Sequence, residues 1–176
     1  MGVGMHSLEQ MYSCLTLFSD LNWSEVIKEY ESLSPDLTFP EYLQQKCLEG
    51  DCPPYLYELA FYEMARSHVE SLKLELPQKP GLYLNPSLVF LNFDFDVKKM
   101  LEEASQGQIH VYEKSHILCL FRNKKNQVHA TEITHKDLEL LQKLENGPLF
   151  DCDFDLKADH DQKLIDLGII INSINP

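Results

Sequence analysis

Positive charge is scarce in this chain, and the compact motifs that assemble catalytic centres are missing. Lys and Arg number 15 against 28 Asp and Glu in 176 residues, a formal charge of −13. Such a field repels phosphate backbones and attracts basic partners, so nonspecific nucleic-acid binding is disfavoured. No run approaches the ~20 apolar residues that a bilayer span requires. The first residues carry His6 and Glu9 but no Lys or Arg, which excludes the basic start of a signal peptide. The expectation is a soluble cytoplasmic protein with no membrane partner.

Cysteine is equally uninformative as a framework. Cys14, Cys47, Cys52, Cys119 and Cys152 are odd in number and contain no CxxC pair, so reduced and mostly buried thiols are expected. The histidines never stand in HxxxH, and a metal site assembled across the fold would draw on His110, His116 and His129, which neighbouring strands could converge. There is no GxSxG elbow and no glycine-rich phosphate loop. Cys119, amid Ile117, Leu118, Leu120 and Phe121, reads as a buried and inert thiol. Asp151, Asp153 and Asp155 have the spacing of a calcium loop. Its glycine and closing glutamate are replaced by Leu156 and Gln162, so an acidic solvated loop is the better reading. No catalytic residue, metal ligand or cofactor is expected in this chain.

What is present suffices for a core: 44% of the residues are hydrophobic and 10% aromatic, enough for one sizeable domain or two compact halves. Residues 7 to 76 have helical spacing. Leu8, Met11, Tyr12, Leu15 and Phe18 share one helix face, and Asn22 and Ser24 can cap a second helix that Ser34-Pro35 ends. A third helix runs from about residue 40 to 48, up to Gly50, and Pro53-Pro54 opens the longest. Pro77, Pro80 and Gly81 read as a linker, which places a boundary near residue 78 between a helical domain (1–77) and a second domain (78–176).

Past the linker the period falls to two: Val89, Leu91, Phe93 and Phe95 form an apolar strand face. A helix over residues 96 to 104 follows, then strand patterns over 109 to 121 and 127 to 133 around an Asn123-Lys124-Lys125-Asn126 turn. Thr134 and Asp137 form a capping-box pattern before a leucine-rich helix that stops at Gly147-Pro148. A short helix over residues 159 to 167 and the strand-like Ile169-Ile170-Ile171 complete an α+β reading, with a winged-helix-like second half holding a small antiparallel sheet. Residues 109 to 136 carry a local +3 within the chain of −13, from Lys114, Arg122, Lys124, Lys125 and Lys136 against Glu113 and Glu132. That basic hairpin suits a solvated turn, a wing on DNA phosphates, or an edge strand that takes up an acidic extended peptide.

The run Pro53-Pro54-Tyr55-Leu56-Tyr57-Glu58-Leu59-Ala60-Phe61-Tyr62-Glu63-Met64-Ala65 resembles the proline-led helix of one bacterial family, roughly P-x-Y-L-x-x-L-A-x-x-E. Asn85-Pro86-Ser87-Leu88 resembles the segment that leads into that family's first C-terminal strand. Residues 116 to 147 are similar to its strand, polar turn, strand and leucine-rich helix. The family is that of the partner proteins of multinuclear non-haem iron-dependent oxidative enzymes that modify ribosomally made peptides. Its best-known relatives serve methanobactin biosynthesis, and its N-terminal region is often labelled a DNA-binding domain.

The resemblance implies a helical half joined to a winged-helix-like half similar to peptide-leader recognition elements. It implies a non-catalytic subunit in a heterodimer whose partner enzyme holds the iron and oxidises a cysteine-containing precursor peptide. By position, Tyr55, Tyr62 and Arg66 form an aromatic shoulder with an arginine, the composition of an interface anchor. Leader capture falls on the strand from His110 to Arg122, with Tyr112, His116, Leu118 and Arg122 on one face, provided that Glu113-Lys114-Ser115 does not break it. The alternative function is a DNA-binding transcriptional regulator, and a stand-alone hydrolase or metal enzyme would rest only on scattered His, Cys and Asp residues.

Overall fold

A computed structural model describes residues 7–33, 36–73, 75, 81–123, 125–145 and 159–173. The elements are α1 (Leu8–Met11), α2 (Leu15–Phe18), α3 (Trp23–Ser32), α4 (Phe39–Glu49), α5 (Tyr55–Ser71), β1 (Leu82–Leu84), β2 (Val89–Phe95), α6 (Val97–Ala104), β3 (Glu113–Arg122), β4 (Val128–Ile133), α7 (His135–Glu145), α8 (Asp159–Leu167) and β5 (Ile170–Asn172). The fold is α+β with small antiparallel sheets. The linker prolines, the Gly147-Pro148 stop and the Asp151, Asp153, Asp155 series lie outside the described residues.

Two compact units emerge, residues 1–67 with 93–115 and residues 68–92 with 116–176. This differs from the boundary expected near residue 78. Packing, rather than the proline and glycine punctuation, groups the segments, and residues 93–115 join the N-terminal helices although they follow the linker.

In the first unit, α1 and α2 replace the single helix expected over residues 7 to 18. Ser7 caps α1 by accepting from Gln10 N at 3.3 Å, and Thr16 turns its hydroxyl to Ser13 O at 2.7 Å. Side-chain bonds of this local kind compete with a continuous helical ladder. Helix α4 starts where Thr38 donates both its N–H and its hydroxyl to Glu41 Oε2, at 2.6 and 2.7 Å. It ends at Gly50, whose φ of +88° is the left-handed conformation that closes a helix C-terminus.

Leu56, Leu59 and Ala60 on α5 are fully buried, and so, at 2% exposure, is Glu58. A buried carboxylate costs several kcal/mol unless donors replace its water. Here Asp94 N donates to Oε1 at 2.9 Å and Phe95 N to Oε2 at 3.0 Å. One side chain thereby fixes the last residues of β2 to the helix.

In the second unit β1 and β5 form a two-stranded antiparallel sheet, with Leu82 opposite Asn172 and Leu84 opposite Ile170. Strand β1 is an addition to the sequence reading, which placed no strand before residue 88. The other sheet has the order β2-β3-β4, with β3 and β4 antiparallel and Ile117 opposite Ile133. Their connection is the expected polar turn, in which Asn126 adopts φ +66° and donates to Asn123 O at 2.8 Å. Asparagine tolerates that conformation better than other side-chain-bearing residues do. The capping box at α7 is also as expected, with Thr134 N bonded to Asp137 Oδ2 at 2.6 Å and Asp137 N to Thr134 Oγ1 at 3.2 Å. Leu82, Ile117, Cys119, Phe121, Ile133, Leu141, Leu164, Ile169 and Ile170 make the core.

A polar knot is set into this unit. Asn85, 3% exposed, donates through Nδ2 to Arg122 O at 2.7 Å and to Gly168 O at 2.9 Å, while its Oδ1 accepts from Ser87 N at 3.0 Å and Ser87 Oγ at 2.6 Å. Ser87 Oγ accepts in turn from Arg122 N at 2.8 Å, and Asn85 N donates to Ile169 O at 2.9 Å. The loop before β2, the end of β3 and the approach to β5 are joined by one amide. Asn85→Asp keeps the shape but removes both Nδ2 donors, leaving two carbonyls unsatisfied. It is expected to lower stability by about 3 kcal/mol in urea unfolding, and a loss below about 1 kcal/mol would show that the knot is not structural.

Candidate functional site

Strand β3, on which leader capture was expected, is the middle strand of its sheet. Ile117 to Phe121 are all buried, Leu118 to 1% exposure. Over residues 117–122, where β4 pairs with it, the strand has no open edge on that side to which an extended peptide can add, and the stretch 117–121, buried on both faces, offers no side-chain surface. The expected face is therefore corrected. His116, Leu118 and Arg122 belong to the second unit, and Tyr112 precedes the strand and belongs to the first. Glu113, Lys114 and Ser115 do not break the strand but begin it.

The hydroxyl of Tyr112 donates to Glu103 Oε2 at 2.7 Å, and Lys99 Nζ lies 3.6 Å from the centre of its ring. The hydrogen bond from Tyr112, with a second contact to His110 Nδ1 at 3.0 Å, holds the Glu103 carboxyl below its usual range. Tyr112 thus belongs to a surface cluster on α6.

Arg122 has an internal task. Its guanidinium donates through Nη1 to Glu70 O at 3.0 Å and to Leu72 O, and through Nη2 to Asn126 O at 3.2 Å. The last carbonyls of a helix have no partner within it, and a cation there also faces the negative end of the helix dipole. Arg122 closes the C-terminus of α5 across some fifty residues of sequence. Lys114 Nζ lies 3.6 Å from Asp96 Oδ2. Two of the five cations of the basic segment are therefore engaged internally, and Lys124 lies outside the described residues.

The expected partner surface also turns partly inward. Tyr55 donates to Phe18 O at 3.1 Å and sets its ring 5.9 Å from that of Phe95, edge to face. Tyr62 is half-buried, and burial pushes its phenol above the usual range. Arg66 is exposed, 3.8 Å from Glu63 Oε2. Tyr55 packs within the first unit, both tyrosines are half-buried, and Arg66 is the exposed residue of the three.

The histidines considered for a metal do not share a site. His110 contacts Glu103, whereas His129 stacks on Phe121 with ring centres 5.9 Å apart and lies 2.7 Å from Asn123 Nδ2. Among the described residues no group of three or more His, Cys, Asp or Glu side chains is placed to hold a metal ion. Cys119 is fully buried, and burial pushes its thiol up to about 12. A cavity of about 460 Å³ lies against α3 and α4, with Glu29, Asp36, Tyr42, Lys46 and Glu49 in its wall. Lys46, the cation there, contacts Glu29 Oε1 at 2.9 Å and Asp51 Oδ2 at 3.5 Å, so the cleft is acidic and suits no anion.

The β2-β3-β4 sheet has two edge strands, β2 and β4, and it is β4 that lies in the basic segment. It pairs with β3 on one side, and among the described residues no strand lies beyond it. Lys125 in the turn before it and Lys136 at the start of α7 are both exposed. Among the described residues no helix is long and apolar enough to cross a membrane. A scan against protein-family models matches none, and a search of curated proteins returns no match.

Sequence reasoning missed Glu58, Asn85 with Ser87, and the helix-closing role of Arg122. The first two lie in the segments that carry the family resemblance, but nothing local shows their partners. The unbroken apolar run from Ile117 to Phe121 was a usable signal, since a half-exposed edge strand alternates and a central one does not. Arg122→Met, which keeps the stem and removes the donors, is expected to cost about 2 kcal/mol of stability and to speed amide exchange at the end of α5. A variant of wild-type stability that had lost peptide affinity would return Arg122 to the binding surface.

Proposed function

We propose that this chain is a non-catalytic, cytoplasmic partner subunit. It holds the leader of a cysteine-containing precursor peptide in its winged-helix-like half and forms a heterodimer with a multinuclear non-haem iron-dependent oxidative enzyme, as in methanobactin-type biosynthesis. The iron and the oxidation belong to the partner. The observation that carries the reading is the open edge of β4, which lies between two exposed lysines in a chain of −13. Main-chain groups on such an edge supply affinity for an extended peptide, and flanking cations favour acidic segments. Support for the partner comes from the resemblance of the run from Pro53 to Ala65, whose two prolines precede the long helix α5 and whose remainder forms its first part. In this reading Arg66, exposed on that helix, faces the enzyme.

The leader is expected to extend β4 as a new strand, not to touch β3. Hydrogen exchange with and without a synthetic leader peptide should slow amides within residues 128–133 and leave those of 117–121 unchanged. Unchanged exchange at saturating peptide would remove β4 as the site. Co-expression with a multinuclear non-haem iron-dependent enzyme of this class should yield a one-to-one complex, and Arg66→Glu should weaken it. If no complex formed and the chain instead retarded DNA, with a salt slope of about −0.9 per phosphate contacted, it would be a transcriptional regulator.

A further inference from the structure

Cys47, near the end of α4, and Cys52, just before Pro53, sit on the two sides of the Gly50 turn. Gly50 N donates to Cys47 O at 3.1 Å and Asp51 N to Lys46 O at 2.9 Å, so the chain reverses tightly at a left-handed glycine. The reversal brings Cys47 Sγ to 2.7 Å from Cys52 Sγ. Each sulfur is also held from outside the pair: Cys47 Sγ lies 3.2 Å from Pro53 O, and Cys52 Sγ 3.7 Å from Leu43 O. Cys47 is partly exposed and Cys52 is buried, at 8%. Accessibility therefore differs across the pair, as it does where one thiol meets a reagent and the other resolves the adduct.

We propose that Cys47 and Cys52 are a dithiol site that closes to a disulfide by exchange with low-molecular-weight disulfides, locking the turn that leads into α5. Cys47, as thiolate, attacks one sulfur of the reagent disulfide, forming a mixed disulfide and expelling one reagent thiolate, which takes up a proton. Cys52 then loses its proton and attacks the Cys47 sulfur, forming the Cys47–Cys52 bond and expelling the second reagent thiolate. Two protein thiols and one reagent disulfide thus become one protein disulfide and two reagent thiols, with two electrons passing to the reagent.

Burial raises both thiols above their usual range, Cys52 to about 12, with Cys47 and Asp51 adding to the shift and Lys46 opposing it. Thiolate is therefore scarce at neutral pH, which sets this pair apart from fast, acidic redox thiols. The site stands independently of the partner-subunit reading.

The test uses the full reduced chain incubated with oxidised glutathione at pH 8.5, alkylated under denaturing conditions and digested with trypsin. Cleavage after Lys46 and Arg66 leaves both cysteines in one peptide. The expected product is that peptide unalkylated and two hydrogens lighter. Cys52→Ser should retain glutathione on Cys47, because nothing resolves the adduct, and Cys47→Ser should take none at Cys52. Recovery of the wild-type peptide with two alkylated thiols, or with glutathione still attached to Cys47, would overturn the proposal.

Discussion

The second unit depends on how the amide of Asn85 is satisfied. A buried primary amide must place two donors and one oxygen, and no single neighbouring segment offers partners for all of them. Asn85 meets the demand by reaching the carbonyls of Arg122 and Gly168 while its oxygen gathers Ser87. The constraint propagates. With Ser87 Oγ accepting from Arg122 N, the backbone of Arg122 is gripped from both sides, and its guanidinium is left beside the end of α5. A loop, the end of a strand, a helix terminus and the approach to β5 are thus ordered by one residue, in a region where hydrophobic packing alone would leave the register of short strands loosely set.

Local chemistry was legible in the sequence, and distant pairing was not. The Thr134 to Asp137 cap, the Asn123 to Asn126 turn and the stops at Gly50 and Gly168 depend on a few adjacent residues, so reading them needs no knowledge of the fold. The division of the first helix into α1 and α2 is also local, but a side-chain hydroxyl settles it, and the apolar spacing that suggests one helix survives the interruption. Strand β1 was hidden because Leu82 to Leu84 pair with residues almost ninety positions later.

The candidate site shows the same limit more sharply. Alternation tells which side chains share a face of a strand, but the position of a strand within its sheet is decided by partners elsewhere in the chain. Residues 117–121 carry the continuous apolar character of a strand covered on both faces, and giving that run more weight than the charges near it would have moved attention from β3 to β4. Arg122 misled for a related reason. An arginine in a basic hairpin looks available until its carbonyl partners, fifty residues upstream, are known.

Glu58 accepts from the main-chain N–H groups of Asp94 and Phe95. Any residue except proline would present the same amide at position 94, so substitutions there can accumulate without a matching change on α5. One of the most deeply buried polar contacts of the chain would then leave no trace of correlated substitution, and a map of co-varying positions would show nothing at the place where the helix holds the strand.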